Sequence, residues 1–205
     1  MKVYCTETGR LSANAYFITD GLSRNAVCID CGEDVNAVRA AEEKYGFKVT
    51  AVLLTHGHFD HAGAAKDLQD GGAKIYISEK DFGKLQNDLN LGKYMGYTMK
   101  KLTPDFTFKD GDELIFGDLK IKAVETAGHT SGSASFIAED ALFTGDTLFC
   151  GSWGRTDLGD GNFNDLISSV KKLFSLRGDY KVFPGHGERT TLQRERESNP
   201  ISEFL

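Results

Sequence analysis

The segment that decides the fold is His56-Gly57-His58-Phe59-Asp60-His61, which directly follows the run Val49-Thr50-Ala51-Val52-Leu53-Leu54-Thr55. That run is β-branched and apolar and predicts a buried strand, so the histidines would stand at the rigid end of this strand. Three imidazoles and a carboxylate within six residues would be left unsatisfied there unless something bound them. The segment therefore predicts a metal site.

The residue types indicate which metals this site would suit. Neutral imidazole and carboxylate suit zinc, iron or manganese, and the cluster contains no cysteine for softer metals. His56 and His58 are two residues apart, so in an extended segment they point the same way and can hold one ion. Asp60 and His61 follow where the chain turns into a short helix predicted at residues 62–68. We therefore expect them to face a second ion nearby.

The composition limits the class of protein and its partners. With 205 residues, 40% of them hydrophobic, the chain can form one globular domain over residues 1–205. A formal net charge of −6 argues against a nucleic-acid-binding surface. The N-terminus lacks an apolar core of signal-peptide length, and no run approaches a membrane span. We expect a cytoplasmic protein without nucleic-acid or membrane partners.

Cysteine usage agrees with this expectation. Cys5, Cys28, Cys31 and Cys150 do not reach the density of a secreted disulfide framework. Residues 28–31 have C-x-x-C spacing, which a redox or metal motif would also have. Because Cys28 continues an apolar run and no second C-x-x-C exists, a buried structural role is the favoured interpretation.

Short strands and helices alternate along the whole chain. Apolar and β-branched runs predict strands at residues 3–5, 15–18, 26–29, 49–55, 74–77, 106–108, 113–116, 119–124, 133–137, 141–144 and 181–183. Helical patterns occur at residues 35–45, 62–68, 79–87 and 164–174. Asp34 is available as the N-cap of the first helix and Gly46 ends it. Two packed sheets with helices outside are the architecture that this pattern suggests.

Hairpin signals are strongest after residue 104. Asp110-Gly111 and Gly117-Asp118 separate the predicted strands at residues 106–108, 113–116 and 119–124. We expect these strands to form an antiparallel meander that the strands at residues 133–137 and 141–144 continue, and we expect the residues after 183 to end in a polar tail. Residues 89–102 show no clear periodicity and form either a surface loop or a pocket wall, where Met and Tyr are common.

The remaining candidate ligands occur in the same context as the first cluster. His129, Asp146 and His186 each follow an apolar strand, and each is adjacent to a glycine. Glycine permits the sharp turns and close approach that a ligand loop needs. Four strand ends carrying such residues are a far more specific signal than one.

This pattern resembles the metallo-β-lactamase superfamily, and within it the short bacterial members of the glyoxalase II (hydroxyacylglutathione hydrolase) group. The segments that carry the likeness are His56–His61, Thr144-Gly145-Asp146-Thr147-Leu148-Phe149, Gly154-Arg155-Thr156-Asp157, Pro184-Gly185-His186-Gly187 and Glu197-Ser198-Asn199-Pro200. The resemblance implies an α/β fold, a four-layer αββα sandwich of two mixed β-sheets flanked by helices. It also implies metals at one edge of that sandwich.

The resemblance further implies a ligand set and a reaction. One metal would be held by His56, His58 and His129, the second by Asp60, His61 and His186, with Asp146 bridging them. The family's β-lactamase branches typically lack an aspartate at the position of Asp146, which argues against a β-lactamase function. Two divalent ions are expected, zinc first, with iron or manganese as alternatives. They would activate a bridging hydroxide for attack on a thioester such as S-lactoylglutathione, and a thiolate leaves without much acid assistance.

Substrate contacts are less well defined by the resemblance. All five histidines are assigned to metal, so none remains as an independent general base. The metal hydroxide is expected to fill that role, with Asp60 as the catalytic group able to accept or pass on a proton. Full-length glyoxalase II enzymes have an additional C-terminal helical domain that helps bind glutathione, and we expect none after His186. Arg155 lies near the position of a glutathione-binding lysine of those enzymes, and either contacts substrate or pairs with Asp157. The oligomeric state is left open.

Two other functions belong to different classes. Persulfide dioxygenases resemble the chain in size and in the segment Gly154–Asp157, and use one iron held by the equivalents of His56, His129 and Asp146. Such an enzyme would oxidise its substrate instead of hydrolysing it. A non-catalytic metal-binding or oxygen-sensing module is the other option, which the complete ligand set and open glycine loops disfavour.

Overall fold

Two six-stranded sheets and one two-stranded hairpin contain all the strands of the protein. The computed structural model describes residues 1–205. The strands are β1 (Lys2–Thr8), β2 (Ala13–Thr19), β3 (Asn25–Ile29), β4 (Lys48–Leu53), β5 (Lys74–Ser78), β6 (Phe106–Phe108), β7 (Glu113–Phe116), β8 (Leu119–Glu125), β9 (Ala134–Ala138), β10 (Ala141–Gly145), β11 (Leu148–Phe149), β12 (Ser152–Trp153), β13 (Lys181–Pro184) and β14 (Thr190–Thr191). The α-helices are α1 (Val35–Tyr45), α2 (Phe59–Ala62), α3 (Ala65–Asp70), α4 (Phe163–Phe174) and α5 (Leu192–Ser198).

Both large sheets are mixed. The first has the order β1-β2-β3-β4-β5-β6; β1, β2 and β3 pair antiparallel, and β3 to β6 pair parallel. The second has the order β14-β13-β10-β9-β8-β7, in which only β10 and β13 pair parallel. Strands β8, β10 and β13 of the second sheet therefore run in the same direction. Ligand loops follow the carboxyl ends of these strands, and another follows that of β4 in the first sheet.

Alternating side chains of β2 show how the layers pack. Ala15 and Phe17 face α1 and α3 and belong to the larger core cluster, whereas Tyr16 and Ile18 face the second sheet. This is the period of two that a strand buried on both faces requires. Helices α4 and α5 cover the outer face of the second sheet through Leu173 and Leu192. The predicted four-layer αββα sandwich is confirmed.

Helix α1 forms as predicted, from its N-cap to its C-cap. The Asp34 side chain accepts a hydrogen bond from the backbone N–H of Asn36, and Gly46 ends the helix with φ +74°. A left-handed residue at this position is the ordinary glycine helix stop. The cap signals alone were sufficient here because both act locally.

The predicted meander is correct from β7 to β10, whose neighbours all pair antiparallel, and wrong for its first strand. Strand β6 pairs parallel with β5 in the first sheet, whereas β7 and β8 form a hairpin in the second. The Phe106 ring stacks on Tyr76 of β5 at a centroid distance of 4.8 Å. The turn at Gly111 crosses between the sheets, and its N–H bonds to Ala123 O at 2.9 Å. A turn signal fixes a reversal of the chain but not the sheet that the next strand joins.

Other boundaries also differ from the predictions. Helix α2 begins at Phe59, so it starts within the ligand segment, and α3 is separate from it. The helix predicted at residues 79–87 is replaced by short 3₁₀ helices at Phe82–Leu85 and Asp88–Asn90. The polar tail instead contains β14, α5 and a 3₁₀ helix at Pro200–Phe204. No helix in the structure combines the length and the apolar character needed to cross a bilayer.

Residues 89–102 are partly anchored to the body of the protein. A 3₁₀ helix spans Gly92–Met95, and Tyr97 packs on Phe59 with ring centroids 5.3 Å apart. Met99 is buried, whereas the Tyr94 side chain is 85% exposed. Whether this segment forms a pocket wall stays a prediction.

Candidate metal centre

His56, His58 and His129 form one group of donor atoms. Candidate ligand atoms of the three residues all lie within 4.8 Å of one another, and all three side chains are buried. His58 Nδ1 lies 2.9 Å from His129 Nε2. The Nε2 atoms of His56 and His58 are buried without any hydrogen-bond partner. Because buried polar atoms are normally satisfied, the unpaired Nε2 of His56 indicates that a cation belongs in this group.

Asp60, His61 and His186 form a second group, within the same 4.8 Å limit. The Nε2 atoms of His61 and His186 are 3.2 Å apart, and His186 Nε2 lies 3.3 Å from Asp60 Oδ2. The carboxylate of Asp60 is thereby placed against both imidazoles.

Asp146 lies between the two groups. Its Oδ1 atom is 3.3 Å from His61 Nε2, and its Oδ2 atom is 3.6 Å from both His129 Nε2 and His186 Nε2. Asp146 Oδ1 is also buried without a hydrogen bond. The structure thus brings all seven sequence-predicted ligands together, with Asp146 next to members of both groups.

The local backbone explains how one short segment serves both groups. His58 is extended, with φ −71° and ψ 151°, and precedes α2 as its N-cap. Asp60 and His61 lie inside this single-turn helix, so their side chains leave in a different direction from those of His56 and His58. The sequence correctly indicated the change of direction but placed the start of the helix at residue 62.

Gly185 packs directly against the side chains of the cluster. A Cβ atom at this position would lie 2.2 Å from Asp146 Oδ1 and 2.8 Å from His61 Cε1. Gly128, next to His129, has φ +145°, and a Cβ there would meet the backbone of Leu166 at 2.4 Å. Both ligand loops therefore require glycine for space, as the sequence predicted.

Four of the histidines have Nδ1 within hydrogen-bonding distance of an oxygen atom outside the ligand set. The pairs are His56 with Thr55 Oγ1 at 3.0 Å, His61 with Asp30 Oδ2 at 2.8 Å, His129 with Arg155 O at 2.7 Å, and His186 with Leu11 O at 3.1 Å. An Nδ1–H that donates to oxygen leaves Nε2 as the free lone pair. His58 is reversed, with Nδ1 facing the group.

Asp30 is a functional residue that the sequence reasoning missed. Its side chain is buried; Oδ1 accepts the Thr55 N–H at 2.8 Å and Oδ2 accepts the Thr55 hydroxyl at 2.7 Å. Because Oδ2 also contacts His61 Nδ1, this one carboxylate fixes the orientation of His61 directly and of His56 through Thr55. Asp30 follows strand β3 as the ligands follow theirs, a signal that its position inside the C-x-x-C spacing obscured.

The two cysteines of that spacing are buried free thiols. Burial raises the pKa of both thiols well above the ordinary value. Cys28 Sγ lies 3.1 Å from Asp30 O, and Cys31 Sγ lies 3.4 Å from His61 O. The thiols are packed behind the ligand segment and are not among the candidate metal ligands.

The electrostatics of the cluster favour a bound cation. Burial lowers the pKa of His58 to about 3, and burial likewise holds the pKa of His56 well below its usual value. Burial also opposes a charge on His61, but surrounding carboxylates, led by Asp146 and Asp60, raise its pKa to about 10. Buried carboxylates need a positive charge beside them. Protonated His61 supplies that charge without an ion, and a bound divalent ion would supply it in its place.

The Arg155 side chain lies outside the ligand cluster. It forms a two-point ion pair with Asp157, Nε to Oδ1 and Nη2 to Oδ2, both at 2.8 Å. Both side chains are exposed. The backbone carbonyl of Arg155 accepts from His129, so the residue supports a candidate ligand whether or not its side chain contacts substrate.

Comparison with known proteins agrees with this arrangement. The model of the family described as "Metallo-beta-lactamase superfamily" matches residues 8–186. The hydroxyacylglutathione hydrolase GloC of Haemophilus influenzae is 36% identical over 185 residues, 87% of each protein. The probable metallo-hydrolase YqgX of Bacillus subtilis is 32% identical and covers 94% of this chain and 93% of its own length.

Solved structures show the same architecture over almost the whole chain. BLEG-1, described as a B3 metallo-beta-lactamase, superposes with a TM-score of 0.91 and 31% identity, covering 98% of this chain and 99% of its own. TTHA1623 in a di-iron-bound form gives 0.88 and 32%, with coverage of 98% and 100%. ETHE1 from Myxococcus xanthus gives 0.83 and 28%, with coverage of 100% and 88%. With its two mixed sheets and the histidine and aspartate cluster at their edge, this chain belongs to the metallo-beta-lactamase superfamily.

Proposed function

We propose that this protein is a dinuclear metal-dependent hydrolase of thioesters, acting on S-lactoylglutathione or a related acyl-thiol. The observation that carries the proposal is the position of Asp146. Its two carboxylate oxygens lie 3.3 to 3.6 Å from His61, His129 and His186, so it joins two complete sets of three candidate ligands. A site for one ion would not need both sets.

Two divalent ions, when bound, would supply Lewis-acid polarisation of a carbonyl and a nucleophile that is active near neutral pH. The protein's own contribution begins with Asp60. Burial opposes a charge on this carboxylate, but the imidazoles of His61 and His186 outweigh burial and hold its pKa well below the usual range. Asp60 is therefore an anion at neutral pH, and its lowered pKa makes it a weak base that suits passing a proton on more than holding one. Its ion pairs with His61 and His186 both use Oδ2, so Oδ1 is the oxygen that we assign to this role.

The absence of a spare acid from the cluster fits a thiol leaving group. A thiolate has a much lower proton affinity than an alkoxide and departs without a strong general acid. The chain places carboxylates and ligand imidazoles at the centre, while Lys84 and Arg155 are already paired with aspartates. Thioesters are consequently the acyl compounds that this set of side chains suits best.

Apolar side chains beside His186 support the binding of an acyl group. The Phe149 ring lies 6.1 Å from the His186 imidazole, and Leu11, whose carbonyl contacts His186, is 40% exposed. Arg10 donates to Met95 O at 2.9 Å, which brings the 3₁₀ helix Gly92–Met95 next to Leu11. This contact supports the hypothesis that residues 89–102 form one wall of the substrate pocket.

Likeness to GloC, which is named a hydroxyacylglutathione hydrolase, supports the choice of thioester. Zinc is the proposed metal, and iron is an alternative that the di-iron form of TTHA1623 supports. The four cysteines are free thiols, which supports a reducing cytoplasmic location. We propose a small-molecule partner only.

A mononuclear iron persulfide dioxygenase is the second candidate function. The likeness to the ETHE1 structure supports it, and its three expected ligands, His56, His129 and Asp146, are all present in the cluster. That function gives no role to the group of Asp60, His61 and His186. The presence of this second, complete group favours the hydrolase.

The deciding experiment compares the two reactions on one preparation. Purified protein reconstituted with zinc or iron is assayed for thiol release from S-lactoylglutathione and for oxygen uptake with glutathione persulfide. Thiol release with two ions bound per chain is expected, and Asp60→Asn, which changes a candidate ligand of the second ion, should lower that rate. Oxygen uptake with one iron and no thiol release would overturn the proposal.

A further inference from the structure

A buried carboxylate that belongs to neither ligand group lies between the loops of His58 and His129. This residue, Asp81, has a relative exposure of 0% and precedes the 3₁₀ helix Phe82–Leu85. Four donors contact its carboxylate: Gly57 N at 2.9 Å and Thr130 Oγ1 at 2.9 Å on Oδ2, and Gly132 N at 3.0 Å and Lys84 Nζ at 2.8 Å on Oδ1. All of its polar contacts are therefore within the protein.

The positions of these donors connect two ligand loops. Gly57 lies between His56 and His58, and Thr130 directly follows His129. The first loop follows β4 of the first sheet and the second follows β8 of the other sheet. One carboxylate thus holds together the backbones that bring His58 Nδ1 to 2.9 Å from His129 Nε2.

The fit around Asp81 is close on both sides. A Cβ atom at Gly132 would lie 2.5 Å from Asp81 Oδ1, and a Cβ at Gly57 would lie 2.6 Å from Lys84 Cβ. Neither glycine leaves room for a side chain at this contact. Movement of either loop away from Asp81 would break a buried hydrogen bond to a charged group, which is the stronger kind.

Lys84 balances the charge of this carboxylate. Its side chain is 4% exposed, and its Nζ atom lies 2.8 Å from both Asp81 and Asp160. A buried carboxylate is tolerated when it is paired and fully hydrogen-bonded. Asp160 also accepts a hydrogen bond from Ser131, so the segment after Arg155 joins the same network.

We infer that Asp81 is a positioning residue for the three-histidine group, which fixes the distance between His58 and His129 before an ion binds. Outer-shell groups that hold ligands in place raise metal affinity by removing the cost of organising the site. The inference rests on the metal-binding part of the proposed function and is independent of the substrate.

The test measures metal affinity, without any assay of activity. Zinc affinity is determined by competition with a chromophoric chelator, and occupancy of the three-histidine group is followed by the absorption of bound Co²⁺. Asp81→Asn should lower the affinity of the three-histidine group for its ion by about 10- to 100-fold, the range found for outer-shell partners. Thr130→Val, which removes the hydroxyl contacts to Asp81 and Ser133, should lower it by about tenfold, and Thr130→Ser should restore the wild-type affinity.

Asp105→Asn is the matched control variant. Asp105 also pairs with a lysine, Lys74 at 2.7 Å, and accepts Ile75 N at 3.0 Å. Asp105 directly precedes β6 and contacts the first residues of β5, at the end of the sheet opposite the ligand loops. We expect unchanged metal affinity for this variant.

Thermal melts of the metal-free proteins separate a positioning role from a merely structural one. Lower melting temperatures with wild-type metal affinity in both Asp81→Asn and Thr130→Val would overturn the inference. If Asp81→Asn does not fold, the comparison of Thr130→Val with Thr130→Ser decides alone. Failure of the wild-type protein to bind any ion would instead remove the proposed function.

Discussion

The Nε2 atoms of His61 and His186 lie 3.2 Å apart, although 125 positions separate the two residues in the sequence. Both Nδ1 atoms contact oxygens, Asp30 Oδ2 and Leu11 O, so both Nε2 lone pairs point at each other when the rings are neutral. Two lone pairs at this distance repel unless a proton or a metal ion lies between them. The relationship explains why this part of the cluster suits a second ion.

Replacement of His186 by alanine should remove that second ion. The change deletes one of three candidate ligands and leaves the group of His56, His58 and His129 intact. We expect one bound ion per chain in place of two, and thioester hydrolysis reduced by at least about 100-fold, or roughly 3 kcal/mol of transition-state stabilisation. Metal analysis by mass spectrometry and steady-state kinetics measure both effects. Two ions and an undiminished rate would show that His186 is not a ligand.

Asp30→Asn should weaken both ligand groups at once. Asp30 orients His61 directly and His56 through Thr55, so we expect metal affinity about 10- to 100-fold lower at both sites. Asparagine is the correct variant because residue 30 has φ +53°, a conformation that Asn tolerates better than most residues. Competition titrations measure the change, and unaltered affinity for both ions would contradict the role given to Asp30.

The sequence predicted those parts of the protein whose causes are local. The caps of α1 at Asp34 and Gly46 act within one turn, and every candidate ligand lies in a segment that follows a strand. Asp30 and Asp81 were not found because their partners come from elsewhere in the chain, at separations of 31 residues to His61 and 49 to Thr130. A buried aspartate among distant donors has no spacing to recognise.

The pairing of strands could also not be predicted from the local sequence. The sheet that β6 joins depends on the contact of Phe106 with Tyr76, a contact that exists only after β5 has formed. The tail was predicted as polar, yet α5 carries the buried residues Leu192 and Glu195. Helix α5 contains too few apolar residues for a helical pattern to be visible in the sequence. Its position is fixed mainly by hydrogen bonds of Glu195.

Removal of the metal should destabilise the fold. The buried carboxylates of Asp60 and Asp146 would then depend on protons taken up by histidine for neutralisation. An ion present at about 1,000 times its Kd stabilises the native state by about 4 kcal/mol. We expect treatment with a chelator to lower the melting temperature, and stoichiometric Zn²⁺ to restore it. Identical melting curves with and without chelator would show that the cluster holds no ion in solution.

Glu195→Ala should destabilise the second half of the protein. Glu195 is fully buried and accepts hydrogen bonds from Gly151 N at 2.8 Å, Asn199 Nδ2 at 2.7 Å and Thr190 Oγ1 at 2.6 Å. Losing these contacts leaves buried donors unpaired, so we expect a free energy of unfolding lower by about 2–4 kcal/mol. Urea unfolding measures it. Glu197→Ala, an exposed change in the same helix, is the control and should have almost no effect.

Glu42 should make stability depend on pH in the acid range. Its side chain is 10% exposed and lies 3.1 Å from Arg39 Nη1 and Lys48 Nζ, and it accepts the Val49 N–H at 2.8 Å. Burial opposes its charge, but Val49 N–H, Lys48 and Arg39 outweigh burial and hold the pKa below the usual value.

Because the pKa of Glu42 is lower in the folded than in the unfolded protein, its contribution is fully present above the unfolded pKa of about 4.3 and is lost as the pH falls through the folded pKa. Glu42→Gln should therefore lower the free energy of unfolding at pH 7 by about 1–2 kcal/mol. That difference between variant and wild type should shrink below about pH 4. Urea unfolding of wild type and variant at several pH values measures this difference. Both proteins are kept metal-free with a chelator, so that pH-dependent metal binding does not add to it. A difference that stays constant down to pH 3 would mean that Glu42 acts through packing and not through its charge.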